Sequence, residues 1–238
     1  MEKMQLGIRL HDIKKAPLEE RLAIAHEQGF ACGHLALAKV ISEYPVNDGA
    51  LTPGFALYLK KLFAKNELDV AVLGCYLNLA NPNEESLAKI KRRYLTNIRF
   101  ASLLGAGVVG TETGAVNEEY KFEERNHSDE ALDIFIQNVR PVVEYAEKMG
   151  VILAIEPVAK HIVCNPKRAR RVLDEIASPN LQIIFDPVNL LDHSNYQNRE
   201  EIFAEAIDLL GEDIAMVHIK DFVVKDNELV SVAAGTGE

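Results

Sequence analysis

Val151-Ile-Leu-Ala-Ile-Glu156, Leu181-Gln-Ile-Ile-Phe-Asp186 and Ile214-Ala-Met-Val-His218 share one pattern, an apolar run ending on a side chain able to bind a metal. Runs of four or five apolar residues read as strands buried on both faces of a parallel sheet. Glu156, Asp186 and His218 stand about thirty positions apart, which leaves room for one crossover helix between successive strands. In parallel α/β folds the chemistry sits at the carboxyl ends of the strands. The three side chains are therefore expected to converge on one side of one sheet as a metal site.

The same strand-then-helix unit repeats through the rest of the chain. Gln5 to Leu10 reads as a first strand ending near His11, and Pro17 to Gln28 as a helix that stops before Gly29. Cys32 to Leu37 and Asp69 to Leu77 read as the second and third strands. Between them, Pro53 to Lys65 forms a helix with proline in its favoured first turn. A turn-rich Asn78-Leu-Ala-Asn-Pro-Asn83 precedes a long helix over Glu84 to Leu104. Gly107 to Gly110 is the fourth strand, leading into Thr111-Glu-Thr-Gly114 and a polar loop over 115–127. Ser128 caps a helix from Asp129 to Met149 that ends at Gly150. Helices over Pro166 to Ile176 and Arg199 to Leu210 separate the last three strands.

Seven strands with six intervening helices imply a single α/β domain over 1–238 with right-handed crossovers. No Gly-x-Gly-x-x-Gly follows the first strand, which removes the main support for a dinucleotide-binding sheet. Polar residues end nearly every strand, as suits a (β/α)8 TIM barrel whose loops face one site. A closed barrel requires an eighth strand and helix. The sequence is therefore read as a barrel lacking its final βα unit, C-terminally incomplete, with an excursion after strand seven before Ala233-Ala-Gly-Thr-Gly-Glu238.

The composition suits a soluble enzyme: 238 residues, 48% hydrophobic, can bury a sizeable core. A net charge of −10 and a pI near 5.3 disfavour nucleic-acid and anionic-membrane partners. The Lys91-Arg92-Arg93 and Lys167-Arg-Ala-Arg-Arg171 clusters read as solvated helix faces. No run of eighteen apolar residues and no signal-like amino terminus occurs, so a cytoplasmic location is expected. Cys32, Cys75 and Cys164 lack zinc-type spacing and read as small core or loop residues.

The stretches Leu153-Ala-Ile-Glu-Pro157, Phe185-Asp-Pro-Val-Asn-Leu-Leu191 and Val217-His-Ile-Lys-Asp221 together resemble the xylose-isomerase-like TIM barrel superfamily. Within it they are most similar to the sugar phosphate isomerase/epimerase family, with ketose 3-epimerases and inosose dehydratase as relatives and endonuclease IV more distant. The resemblance implies one divalent metal held by Glu, Asp, His and a second Glu on the eighth strand. Glu156, Asp186 and His218 match the first three; the fourth has no counterpart within 1–238. An oxygen-rich set with one imidazole favours Mn²⁺, Mg²⁺ or Co²⁺ and admits Zn²⁺.

The resemblance further implies a metal-dependent isomerase or epimerase of a small sugar, polyol or sugar acid, free or phosphorylated. The reaction would run through α-proton abstraction and an ene-diolate, with Glu156 as ligand and general base. Alternatives are a keto-inositol dehydratase, or a non-catalytic sugar-binding barrel if the chain ends at Glu238. A nuclease is disfavoured by the acidic charge, by only seven histidines and by Asn189, which stands where endonuclease IV has a histidine ligand. By analogy alone, a homo-oligomer is open.

Substrate-binding candidates are Asn189, three residues after Asp186, His161 above strand five, and Glu112 between glycines after strand four. Lys220, Asn78 and His11 complete the set, with Tyr76, Asn81 and Arg9 as weaker candidates. Each has a plainer alternative. A carboxylate after a strand can simply cap the next helix. His218 alone could be a core histidine, and Lys220 with Asp221 could form only a surface pair.

Overall fold

The computed structural model describes residues 4–238. Seven parallel strands form one sheet in sequence order, β1 (Gly7–Arg9), β2 (Cys32–Leu35), β3 (Asp69–Gly74), β4 (Val108–Glu112), β5 (Ile152–Glu156), β6 (Leu181–Phe185) and β7 (Ile214–Val217). Consecutive order without crossing is what right-handed βαβ units generate in a barrel-type sheet. The helices are α1 (Leu18–Glu27), a single turn α2 (Leu37–Val40), α3 (Pro53–Lys65), α4 (Glu84–Leu104), α5 (Asp129–Met149), α6 (Pro166–Ile176) and α7 (Arg199–Leu210).

The helix starts are set by local chemistry. Thr52, Ser128 and Asn165 each accept a hydrogen bond from the backbone N–H three residues on, at 3.2, 3.1 and 3.0 Å. Pro53 and Pro166 then occupy the first helical turn, where a missing N–H costs nothing. Gly150, at φ +63°, turns the chain out of α5 in a left-handed conformation that glycine adopts without steric penalty.

Two boundaries differ from the sequence reading in a useful way. β4 runs on through Thr111 to Glu112, so Glu112 ends its strand just as Glu156 ends β5. After His218 the chain forms an antiparallel hairpin, β8 (Asp221–Lys225) with β9 (Glu228–Val232), joined by Asp226 and Asn227 at φ +51° and +62°. Two consecutive left-handed residues make the tight turn whose twist matches paired strands. No eighth parallel strand occurs among the described residues. The three cysteines carry free thiols, and no helix among the described residues is long and apolar enough to cross a membrane.

The described residues divide into two compact units, one of 4–76, 92–110 and 144–153, the other of 77–91, 111–143 and 154–238. In the first, Leu22, Leu35, Leu59, Leu73 and Phe100 are fully buried. In the second, Leu132, Phe135, Ile155, Ile183 and Val172 play that part. Every ligand candidate belongs to the second unit.

Candidate metal centre

Burying two carboxylates costs several kcal/mol each unless charge or hydrogen bonds compensate them. Glu156 and Asp186, only 3% and 4% exposed, end β5 and directly follow β6, and His218 directly follows β7. The His218 N–H donates to the Phe185 carbonyl at 2.9 Å, which extends the β6–β7 ladder and fixes the imidazole beside the carboxylates. His218 Nδ1 lies 3.5 Å from Glu156 Oε2 and 4.0 Å from Asp186 Oδ2. One ligand atom from each residue falls within 4.8 Å of the others. Two carboxylates and an imidazole at this spacing fit a divalent cation.

A second layer holds those groups in place. Lys220 Nζ lies 3.1 Å from Asp186 Oδ2 and also donates to Asn189 Oδ1. Asn189 Nδ2 donates to Glu156 Oε1 at 2.5 Å, and the Asn189 N–H donates to Asp186 Oδ1 at 3.2 Å. An amide placed between an ammonium and a carboxylate can satisfy both only with oxygen toward Lys220 and nitrogen toward Glu156. Asp186 thus also caps the short 3₁₀ turn Pro187–Leu190 through Oδ1, while Oδ2 is the oxygen 4.0 Å from His218 Nδ1. Burial raises the Asp186 carboxyl above its ordinary pKa, the Lys220 charge pulls it back, and the Glu156 charge adds to the rise.

A further group stands on the ends of β4 and β5. Tyr120 donates its phenol to Glu112 Oε2 at 3.3 Å, and its ring lies 5.2 Å from that of His161, tilted by 39°. His161 Nδ1 is 3.8 Å from the same Glu112 oxygen, too long for a hydrogen bond. That distance would suit an ion pair, yet burial dominates and pushes the imidazole down to about 4, with Glu156 opposing. His161 is therefore neutral near pH 7. Burial, then the Glu112 charge, raises the Tyr120 phenol, so it stays protonated.

The remaining candidates are placed differently. Asn78 is buried, and its amide is fully engaged: Nδ2 donates to the carbonyls of Ala115 and Asn117, while Oδ1 accepts from Ala80 and Ala115 N–H. It holds the loop after β4. His11 lies in the first unit, edge-on to His34 at 5.7 Å with Nδ1 buried and without a hydrogen-bond partner. Tyr76 stacks on His34 in that unit, and Asn81 Oδ1 accepts from the Asn83 N–H. Arg9 pairs with Asp12 at 2.7 Å. Arg170 and Arg171 are matched to Asp213 and Asp133 at 2.6 and 2.5 Å. Sequence reading missed Tyr120, which sits in a polar loop with no periodicity to mark it.

A family model described as xylose isomerase-like TIM barrel matches residues 22–237. The chain belongs to the xylose isomerase-like TIM barrel family. None of the curated proteins matches it by sequence. Among solved structures with this barrel, one titled the IOLI protein with a binding zinc atom is 18% identical, with a TM-score of 0.74 over 98% of this chain and 80% of that one. A D-tagatose 3-epimerase-like protein is 21% identical, with a TM-score of 0.72 over 99% and 82%. A 3-keto-D-glucoside 4-epimerase from E. coli is 17% identical, with a TM-score of 0.71 over 92% and 80%. At such identity the likeness to these xylose isomerase-like barrels is one of fold.

Proposed function

We propose that this chain is a metal-dependent isomerase or epimerase of a small sugar, polyol or sugar acid. The observation that carries the reading is the convergence of Glu156, Asp186 and His218 at the carboxyl ends of three adjacent strands. The zinc in one structural relative and the epimerases among the others support it. Glu156, Asp186 and His218 would hold a divalent ion, whose positive charge beside a substrate carbonyl would acidify the neighbouring C–H.

Glu156 is the general base of this reading. The substrate C–H bond breaks, the proton passes to the carboxylate, and the electron pair moves into the carbonyl to give an ene-diolate. Asn189, by gripping Oε1, fixes the plane of that carboxylate and limits its swing. Delivery of a proton to the same carbon by a second acid on the opposite face would invert the centre; return of the Glu156 proton to the adjacent carbon would move the carbonyl.

The test is incubation with Mn²⁺ and a panel of ketoses in D₂O, followed by NMR. The expected outcome is deuterium at the exchanged carbon of the product, abolished in Glu156→Gln. A product lighter by one water would assign a dehydratase instead. No exchange and no product from any ketose with the metal-loaded protein would overturn the reading.

A further inference from the structure

Three independent constraints meet at the wall formed by Glu112, Tyr120 and His161. First, Tyr120 adopts φ +56°, a left-handed conformation that crowds the Cβ of a non-glycine residue. The surrounding loop enforces it. Asn117 bridges to both the N–H and the carbonyl of Lys121, at 2.9 and 2.8 Å. The wholly buried Asn126 accepts from Val116 N–H at 3.1 Å and donates to the Lys160 carbonyl at 3.2 Å. Strain held by such over-determination points to function.

Second, His161 Nδ1 is buried yet has no hydrogen-bond partner. Buried polar atoms in folded proteins are nearly always satisfied, so this one calls for a water or a ligand. The β5 loop carrying it cannot easily relax, because Ile162 and Val163 N–H groups are tied to Gly114 O and Thr113 Oγ1 at 3.3 and 3.0 Å. Third, the charges that act most strongly on Tyr120 and His161 come from Glu112 and Glu156, both negative. Glu156 belongs to the metal centre, and Glu112 stands on the neighbouring strand β4.

We propose that Glu112, Tyr120 and His161 form a binding wall for an uncharged, hydroxyl-bearing part of the substrate, and that Glu112 excludes phosphorylated and carboxylated substrates from it. This deepens the isomerase reading and rests on it for the word substrate. Tyr120, positioned by Glu112, presents its phenol oxygen as acceptor, and the neutral His161 exchanges a hydrogen bond with a hydroxyl. A phosphate placed there would meet the Glu112 carboxylate, and like charges at such range repel.

The experiment measures binding, independent of turnover, by ligand-observed NMR and calorimetry on the full chain with Mg²⁺. The probes are D-fructose, ribitol and myo-inositol against D-fructose 6-phosphate. Wild type is expected to bind at least one neutral probe more tightly than the phosphate. His161→Ala weakens that binding about tenfold and His161→Asn, which keeps a polar atom near the Nδ1 position, restores part of it. Glu112→Gln keeps an acceptor for Tyr120 but narrows the neutral-to-phosphate preference about tenfold. Circular dichroism melts of each variant report folding separately.

Preference for the phosphate, no binding of any probe, or variants that fold and bind as wild type does would each overturn the proposal. Neutral binding that responds to the variants without any deuterium exchange would uphold the wall and sink the isomerase reading. Exchange that proceeds with the variants indistinguishable from wild type would do the reverse.

Discussion

Acid should destabilise this protein through His161 in a way that one substitution removes. The imidazole is held near pKa 4 in the fold, against an ordinary value of 6.5. Its folded value is depressed, so between those values the unfolded chain binds more protons and stability rises with pH. The contribution is fully present above pH 6.5 and disappears as the pH falls through 4. Linkage over that interval places the loss at about 2 kcal/mol by pH 5 and about 3 kcal/mol by pH 4. For a chain of this length, about 2 kcal/mol corresponds to a fall in Tm of roughly 4–8 °C.

His161→Phe isolates the effect. The ring contact with Tyr120 is kept, and Nδ1 has no hydrogen bond to lose. The larger phenyl ring adds a pH-independent cost of about 1–3 kcal/mol from overpacking, which cancels when the two pH profiles are compared. Between pH 7.5 and 5 the difference in unfolding free energy should move by about 2 kcal/mol in favour of phenylalanine. Urea titrations at four pH values in one buffer ionic strength measure it. Parallel pH profiles for the two proteins would refute the argument, because they would mean that His161 titrates alike in the folded and unfolded chains.

Asn189→Ala leaves Glu156 Oε1 without its donor and should weaken divalent-metal binding about 10–100-fold in a competition titration against a chelating dye; an unchanged Kd would show that the amide does not position the ligand. Lys220→Met strips the buried Asp186 of its cation; with Lys220 side-chain exposure of 21% screening part of the pair, a loss of about 1–3 kcal/mol is expected at pH 7.5 in urea unfolding, and no loss would count against the pair. Gly114→Ala forces a Cβ onto Asn78 Oδ1 at φ +83° and should cost about 2 kcal/mol, whereas a neutral result would mean that the loop after β4 yields freely.

The barrel was legible because its signals are local and periodic. The apolar runs before Glu156, Asp186 and His218, the cap at Ser128 and the first-turn Pro53 state strand, helix and boundary within a few residues of each other. Parallel pairing in sequence order follows from the repeat, and with it the meeting of the three ligand candidates. The hairpin after His218 was legible only in hindsight, from Asp226-Asn227 between short apolar stretches.

What the chain order could not state was which polar side chains face inward to the chemistry and which are consumed by the backbone. Asn78 and Asn189 are the same residue type, each just past a strand, yet one is spent holding a loop and the other bridges Lys220 to Glu156. Tyr120 reaches Glu112 and His161 only because Asn117 and Asn126 bend a polar loop around it. Sequence alone determined that Glu156, Asp186 and His218 stand at the carboxyl ends of their strands, since alternation of strand and helix leaves them one place to go. Only the tertiary structure decided the hydrogen-bond partners, because those depend on loops packed across tens of residues, where no periodicity carries the information.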